Sequence, residues 1–375
     1  MISRELHKVL AQKFFRGKAI LLTGPRQSGK TTLIRALEQQ AEKKVLYLNC
    51  DEPDIRNLLT DATSSALKHL IGNARIIMID EAQRVKNIGL TMKLIIDNFK
   101  NIQLVATGSA ALEFANEINE PLTGRKWEYR LLPLSTQELA THTGLLEERR
   151  LMEHRLVYGM YPDVVIHPGE EREILYNLTG SYLYKDIFTF QEIRKPEVIE
   201  KLLEALALQV TAEVSYNELA QLVQVDTATV QRYVDLLEKA FVVFRLRSFS
   251  RNVRNELKRS RKIYFYDNGI RNALIANFSP PDIRVDTGAL WENFLVSERT
   301  KRLYNNQEHA GQFFWRTKQQ QEIDYIEEAD GILLACEFKW NPGRKTRFSK
   351  TFLSAYPDHI TQTITPDNYM DFLIP

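Results

Sequence analysis

A glycine-rich loop from Gly24 to Thr32 contains the most specific chemistry in this chain. It reads Gly-Pro-Arg-Gln-Ser-Gly-Lys-Thr-Thr, and its glycines allow successive backbone N–H groups to face a phosphate chain. Lys30 is expected to reach the β- and γ-phosphates, and Thr31 to supply a hydroxyl to Mg²⁺. The predicted nucleotide-binding residues are Gly24, Pro25, Arg26, Gln27, Ser28, Gly29, Lys30, Thr31 and Thr32.

The segments on either side of this loop favour a phosphate site over an ordinary glycine-rich surface turn. An apolar run, Ala19 to Leu22, precedes the loop, and a helical pattern of Leu33, Ile34 and Leu37 follows it. A strand, a loop and a helix in this order place the positive end of the helix dipole behind the phosphates.

A second apolar run, Ile76 to Ile79, ends in two carboxylates, Asp80 and Glu81. Uninterrupted apolar strands are typical of parallel sheets, in which ligands bind at the carboxyl ends of the strands. We therefore expect Asp80 to hold Mg²⁺ through water. Glu81 is expected to orient and deprotonate the water that attacks the γ-phosphate.

Two further segments have weaker signals for the same site. The strand-like run from Ile102 ends in Thr107 and Ser109, which are candidates for polar sensors of the nucleotide, although an ordinary turn explains them nearly as well. Arg125 is the first candidate for an arginine finger, because a planar guanidinium suits the charge that develops on a transferring phosphoryl group. A plain surface arginine is the alternative, and action in cis or in trans is open.

A short amphipathic helix at 217–223, a helix from Thr227 and two strand-like runs at 241–244 and 262–266 form the outline of a winged helix. Its wing region, 245–262, is strongly basic and is predicted to contact DNA. Packing against the protein's own ATPase domain or against a sister subunit is the alternative. The basic residues are Arg245, Arg247, Arg251, Arg254, Lys258, Arg259, Arg261 and Lys262, against the single acid Glu256.

Charged residues also recur near the C-terminus. Glu337 and Lys339 are two apart on a predicted strand and so share a face, where Asp324 of a neighbouring strand can meet them. This arrangement resembles the PD-(D/E)XK nuclease fold. The resemblance implies that Asp324, Glu337 and Glu292 bind Mg²⁺ and that Lys339 holds the attacking water or stabilises the charge on the phosphorane. The alternatives are an inert relative of that fold or a salt-bridged pair at a sheet end.

The composition describes a globular protein of several domains. The chain has 375 residues, of which 44% are hydrophobic and 26% charged, and a formal net charge of +2. Two cysteines are too few for a disulfide framework, which favours a reducing compartment. We find no signal peptide and no membrane span, so we expect a cytoplasmic protein without a membrane partner.

The phosphate loop, the acidic pair and the segments around Thr107, Arg125 and Ser135 together resemble the prokaryotic AAA+-type ATPases of the archaeal-ATPase branch. This resemblance implies ATP as the nucleotide and a helical lid after the core, and it is compatible with a homo-oligomer. The expected fold class is α/β: a P-loop AAA+-type parallel sheet with a helical lid, a winged-helix module and a smaller restriction-endonuclease-like α/β domain. The expected domains are 1–134, 135–203, 204–281 and 282–375.

Two functions follow. The first is Mg²⁺-dependent ATP hydrolysis coupled to a C-terminal region that binds DNA. Under this hypothesis the C-terminal region could also cleave DNA as a metal-dependent deoxyribonuclease. The alternative is a nucleotide-gated switch or scaffold whose catalytically silent tail binds a protein partner.

Overall fold

The computed structural model describes residues 2–108, 121–182, 195–250 and 261–375. It divides into two compact units, of which the first comprises most of the chain through Pro133 and the second most of the chain from Leu134 onward. Each unit has its own β-sheet.

The first unit contains a parallel five-stranded sheet with the strand order β2-β3-β4-β1-β5. The apolar runs of the sequence form its central strands, and β3 is buried at every position. The strand β4, which carries Thr107, lies between β1 and β3. The strands are β1 (Ala19–Thr23), β2 (Val45–Asn49), β3 (Ile76–Asp80), β4 (Gln103–Gly108) and β5 (Lys126–Arg130).

Helices cover both faces of this sheet, and neighbouring side chains of a strand point into opposite cores. On β1, Leu21 packs into one core and Ile20 and Leu22 into the other. Leu6 and Leu10 are the buried side chains of the first helix, which the spacing of apolar residues predicts. The helices of this unit are α1 (Glu5–Lys13), α2 (Lys30–Gln39), α3 (Pro53–Leu59), α4 (Ser64–Ile71) and α5 (Ile88–Asn98).

The second unit contains a mixed six-stranded sheet with the order β11-β10-β9-β8-β6-β7. The antiparallel hairpin of β6 and β7 joins the C-terminal strands, because β6 pairs in parallel with β8. The boundary expected near residue 281 therefore separates strands of one sheet. The strands are β6 (Val243–Ser248), β7 (Arg261–Phe265), β8 (Gly311–Arg316), β9 (Glu322–Ala329), β10 (Ile332–Phe338) and β11 (His359–Ile364).

The segment expected to form a lid, 135–203, is helical where it is described, and its described helices belong to the second unit. Buried amides hold them there: Asn268 donates to the carbonyl oxygens of Leu156 and Leu290 at 3.0 and 3.1 Å. The first helices are α6 (Thr136–Thr143), α7 (Leu145–Arg150), α8 (Met152–Tyr158), α9 (Pro162–Ile166), α10 (Glu171–Asn177) and α11 (Pro196–Leu208). The remaining ones are α12 (Tyr216–Val223), α13 (Thr227–Lys239), α14 (Asn268–Leu274), α15 (Thr287–Asn306), α16 (Lys350–Ala355) and α17 (Tyr369–Leu373).

The helix predicted from Thr227 begins there, but the capping side chain belongs to the preceding residue. Asp226 accepts hydrogen bonds from the backbone N–H of Thr229 at 2.8 Å and from its hydroxyl at 2.9 Å. A carboxylate satisfies an otherwise unpaired N–H of the first turn and favours the positive end of the helix. None of the described helices combines the length and the apolarity needed to cross a membrane.

Candidate nucleotide-binding site

The predicted phosphate loop connects β1 to α2 at the carboxyl edge of the five-stranded sheet. Gly24 has no room for a side chain, because a Cβ there would clash with the carbonyl oxygen of Leu131. Gly29 caps the helix with a φ of 94°, a conformation that favours glycine. The loop therefore needs glycine at both positions, as the motif implies.

The loop side chains are held inward. Lys30 is 5% exposed, and its ammonium donates to the carbonyl oxygens of Gly24 and Pro25 at 2.9 and 2.7 Å. Ser28 is fully buried and donates to the carbonyl oxygen of Pro25 at 2.9 Å. Thr31 and Thr32 are exposed at the start of α2. The ammonium of Lys30 thus lies at the loop backbone, where the motif places the phosphates.

Asp80 is the point at which the phosphate loop and the acidic strand meet. Asp80 is 3% exposed, and its Oδ2 accepts hydrogen bonds from the hydroxyls of Thr31 at 2.8 Å and Tyr47 at 2.6 Å. The hydroxyl of Thr107 donates to the other oxygen, Oδ1. Three hydroxyl groups from three different elements therefore fix this carboxylate.

Glu81 follows Asp80 in a left-handed conformation, with a φ of 52°. Its backbone N–H donates to Thr107 Oγ1 at 3.1 Å, and its carboxylate accepts a hydrogen bond from the side-chain amide of Gln83 at 2.6 Å. Thr107 thus contacts both acidic residues. Ser109, the other predicted sensor, lies outside the described residues.

Arg125 does not lie at this site. It precedes β5, and the pairing of Ala19 with Lys126 and of Thr23 with Arg130 puts it at the amino edge of the sheet, about 13 Å of strand from the phosphate loop. There it forms an ion pair with Asp97 at 2.8 Å. The geometry excludes an arginine finger acting on the loop of its own chain. Arg130, beside Thr23, is the arginine of β5 at the carboxyl edge.

Sequence reasoning missed three contacts around the site: Tyr47 with Asp80, Gln83 with Glu81, and the anchoring of the loop by Arg4. Arg4 is 8% exposed and donates to the carbonyl oxygens of Ser28 at 2.6 Å and of Leu132 at 2.7 Å. The sequence does not distinguish a tyrosine within an apolar strand or an arginine before a helix from ordinary residues. Each acts through a hydrogen bond to a partner that only folding brings near.

The predicted residues of the C-terminal region also come together, within the second unit. The ammonium of Lys339 lies 2.7 Å from Glu337 and 3.4 Å from Asp324, and the backbone N–H of Phe338 donates to Asp324 at 2.8 Å. Asp324 lies near the start of β9 and Glu337 near the end of β10. The antiparallel pairing of these strands brings the carboxylates to one end of the sheet.

Glu292 of α15 joins this group through a lysine that the sequence assigned to the wing. Lys262 is 3% exposed at its side chain, and its ammonium lies 3.0 Å from Glu292 and 2.6 Å from Glu322. Tyr264 donates its hydroxyl hydrogen to Glu292 at 2.7 Å. We name this set the carboxylate cluster: Glu292, Glu322, Asp324 and Glu337, with Lys262, Lys339 and Tyr264.

Burial raises the pKa values of two carboxyl groups in the carboxylate cluster. Burial, together with repulsion from Asp324, raises the pKa of Glu292 to about 7 against the opposing effect of Lys262. Burial and the same aspartate raise the pKa of Glu337 to about 6. Within the described ranges, no three acidic, histidine or cysteine side chains are grouped so that they could hold a metal ion.

The basic wing is described only at its two ends, since residues 251–260 lie outside the described part of the chain. At these ends several charges are already paired. Arg245 lies 2.8 Å from Asp235 and also contacts Glu238. Arg261 stacks on the ring of Tyr216, with the guanidinium carbon 4.3 Å from the ring centre.

Three family models match this chain. Residues 16–140 match an AAA domain, residues 149–281 a domain of unknown function (DUF8612), and residues 287–367 another domain of unknown function (DUF4143).

The curated relatives are similar over most of the chain. An uncharacterized protein of Mycobacterium tuberculosis is 27% identical over 336 residues, which cover 88% of this chain and 72% of that protein. An uncharacterized protein of Haemophilus influenzae is 27% identical over 280 residues, or 68% of each chain. Among solved structures, a Walker-type ATPase of Pyrococcus abyssi matches with a TM-score of 0.49 at 15% identity, covering 73% of this chain and 96% of that one.

Residues 16–140, which match the AAA domain, include the phosphate loop, the acidic strand and Thr107. The match and the geometry of these residues together support an AAA-type ATPase domain in this part of the chain.

Proposed function

We propose that the first unit binds ATP with Mg²⁺ and hydrolyses it at the carboxyl edge of the five-stranded sheet. The hydrogen bond of 2.8 Å between Thr31 and Asp80 carries this proposal. It joins the hydroxyl that follows the phosphate-loop lysine to the carboxylate that ends the acidic strand. These are the oxygen donors that P-loop ATPases use around their metal ion.

The donors at this point suit Mg²⁺, which prefers hard oxygen ligands and keeps several of its waters. Thr31 would bind the ion directly and Asp80 through water. When bound, Mg²⁺ neutralises charge on the β- and γ-phosphates.

The other residues have separate tasks. Lys30 binds the phosphates as a point charge, and the backbone N–H groups of the loop surround them. Glu81 orients the attacking water and accepts its proton. Thr107 hydrogen-bonds to both acidic residues and so fixes their positions relative to each other. Gln83 bonds to Glu81, so it positions the general base rather than contacting the nucleotide.

The test is steady-state ATP hydrolysis by the full chain and two variants. Lys30→Ala should lower kcat/KM about 100-fold or more, because it removes a charge-stabilising donor. Glu81→Gln should lower kcat at least about 100-fold and still bind ATP, because only the general base is lost. Exposed residues of the same unit provide matched controls in Lys86→Ala and Glu42→Gln. Normal turnover in Glu81→Gln would contradict the assigned base.

The second unit has two candidate functions: contact with duplex DNA through a winged helix, and contact with a protein partner without catalysis. The succession of α12, α13 and the β6–β7 hairpin supports the first. Against DNA cleavage, each acidic residue of the predicted nuclease-like site is in contact with a lysine.

We therefore expect the full chain to bind random duplex DNA in a salt-sensitive manner and to leave it intact. Fluorescence anisotropy at low and moderate salt measures the binding, and a supercoiled plasmid in the same buffer reports nicking. Absence of binding at low salt would favour the protein-partner function. Nicking that disappears in Asp324→Ala while ATP hydrolysis continues would restore the nuclease.

A further inference from the structure

The carboxylate cluster of the second unit contains its own cations. Each of its four carboxylates has a lysine ammonium nearby. The ammonium of Lys262 lies 3.0 Å from Glu292 and 2.6 Å from Glu322. The ammonium of Lys339 lies 2.7 Å from Glu337 and 3.4 Å from Asp324. The two ammonium groups thus bridge carboxylates in pairs, an arrangement that a divalent ion would otherwise provide.

A divalent ion would bind the same carboxylates that these lysines already contact. Mg²⁺ needs ligand oxygens at about 2.0–2.1 Å in an octahedral arrangement, and each carboxylate that it recruits already has an ammonium partner on one oxygen. Lys339 is 19% exposed at its side chain, so its ammonium is closer to solvent. Lys262 is only 3% exposed, so its release would leave a buried charge without a partner.

Lys262 also contacts an aromatic ring on another strand. Its ammonium lies 5.4 Å from the ring centre of Phe314, a fully buried residue of β8. Lys262 belongs to β7 of the hairpin, whereas Glu322 lies on β9 and Glu292 on α15. Its two ion pairs therefore connect the hairpin to the C-terminal helix and strands.

We infer that the carboxylate cluster is a metal-free ion-pair centre in which Lys262 takes the place of a divalent cation and fastens the β6–β7 hairpin to the C-terminal strands. This inference is independent of ATP hydrolysis in the first unit. It contradicts the predicted Mg²⁺ site of Asp324, Glu337 and Glu292, because each carboxylate of that site already has a lysine partner.

Binding of Mn²⁺ to the full chain without nucleotide tests this inference, with free Mn²⁺ measured by electron paramagnetic resonance. We compare the wild-type chain with Asp324→Asn, Lys262→Met and the double variant. Any Mn²⁺ bound at the phosphate loop is the same in all four proteins, so their differences report the cluster alone. Circular dichroism checks that each variant is folded.

The wild-type chain and Asp324→Asn should bind equal amounts of Mn²⁺, because the cluster takes none. Lys262→Met should gain one Mn²⁺ site that the wild-type chain lacks, and the double variant should lose it. Wild-type binding that disappears in Asp324→Asn would overturn the inference, and this comparison needs no Lys262 variant to fold. A folded Lys262→Met chain that gains no site would also overturn it.

Discussion

Tyr47 donates its hydroxyl hydrogen to Oδ2 of Asp80 at 2.6 Å, the same oxygen that accepts a hydrogen bond from Thr31. Burial and the neighbouring carboxylate raise the pKa of the tyrosine, which keeps it a donor throughout the physiological range. A strand outside the phosphate-loop motif thereby determines how the proposed metal-binding carboxylate is oriented.

Tyr47→Phe should weaken the use of Mg²⁺ while leaving the fold intact. The variant removes one donor from Asp80, and loss of such an outer contact typically costs about 10–100-fold in metal affinity. We expect the Mg²⁺ concentration for half-maximal ATP hydrolysis to rise at least about tenfold. A magnesium titration of the hydrolysis rate measures this, with Tyr176→Phe at an exposed tyrosine as the control. An unchanged titration curve would mean that Thr31 and Thr107 orient the carboxylate alone.

Gln83→Ala should reduce kcat and leave KM for ATP nearly unchanged. The side-chain amide of Gln83 donates a hydrogen bond to the carboxylate of Glu81 at 2.6 Å. Misplacing a general base by a fraction of an ångström lowers the rate of the chemical step, here by roughly tenfold. Steady-state kinetics separate the two constants. An equal rise in KM would indicate that Gln83 acts on nucleotide binding instead.

Arg4→Met should destabilise the first unit and weaken ATP binding together. The guanidinium joins the loop at Ser28 to the segment after β5 at Leu132. Hydrogen bonds from a charged donor contribute about 1.5–3 kcal/mol each, so loss of these two bonds should lower the unfolding free energy by roughly 3–6 kcal/mol. Urea unfolding and a KM measurement test both effects, with Arg16→Met at an exposed arginine as the control.

Arg4→Lys tests whether the forked shape of the Arg4 guanidinium is needed or only its positive charge. A lysine ammonium is a compact charge without the fork of a guanidinium, so it cannot span both carbonyl groups. We expect this variant to resemble Arg4→Met in stability and in KM. Full recovery by lysine would show that positive charge alone is needed.

Asp286 should make the second unit sensitive to acid. Burial opposes its ionisation, but hydrogen bonds from Arg284 and Arg271 outweigh burial and lower the pKa of this carboxyl. A group with a lowered folded-state pKa stabilises the protein above its unfolded pKa of about 4 and loses that contribution as the pH falls towards the folded value.

The wild-type chain should therefore be more stable than Asp286→Asn at neutral pH, and the difference should shrink steadily below about pH 4. Urea unfolding followed over this range measures the difference. Glu308→Gln, at an exposed carboxylate of the same unit, should show a much smaller dependence on pH. A difference that stays constant down to about pH 3 would contradict the assigned pairing.

The phosphate loop could be predicted from the sequence because its chemistry depends on neighbouring residues. Gly24, Gly29, Lys30 and Thr31 lie within one short segment, so their spacing alone brings the backbone and the lysine together. The prediction for Asp80 needed one further assumption, that the strands are parallel, and the sheet confirms this assumption.

The remaining contacts depend on partners that are distant in sequence. Arg125 is close to β5 in the chain, but the register of β5 against β1 puts it at the wrong edge for its own phosphate loop. The sequence counted Lys262 among the exposed charges of a wing, whereas the sheet buries it against two glutamates.

The sequence by itself thus determined the nucleotide motif, the acidic strand and several of the helices and strands, since these follow from local spacing and apolar periodicity. Only the tertiary structure decided which side chains meet: Tyr47 with Asp80, Arg4 with the loop, and Lys262 with the carboxylate cluster. The physical reason is that a hydrogen bond or ion pair requires an approach of about 3 Å. Strand register and helix docking, not distance along the chain, set that approach.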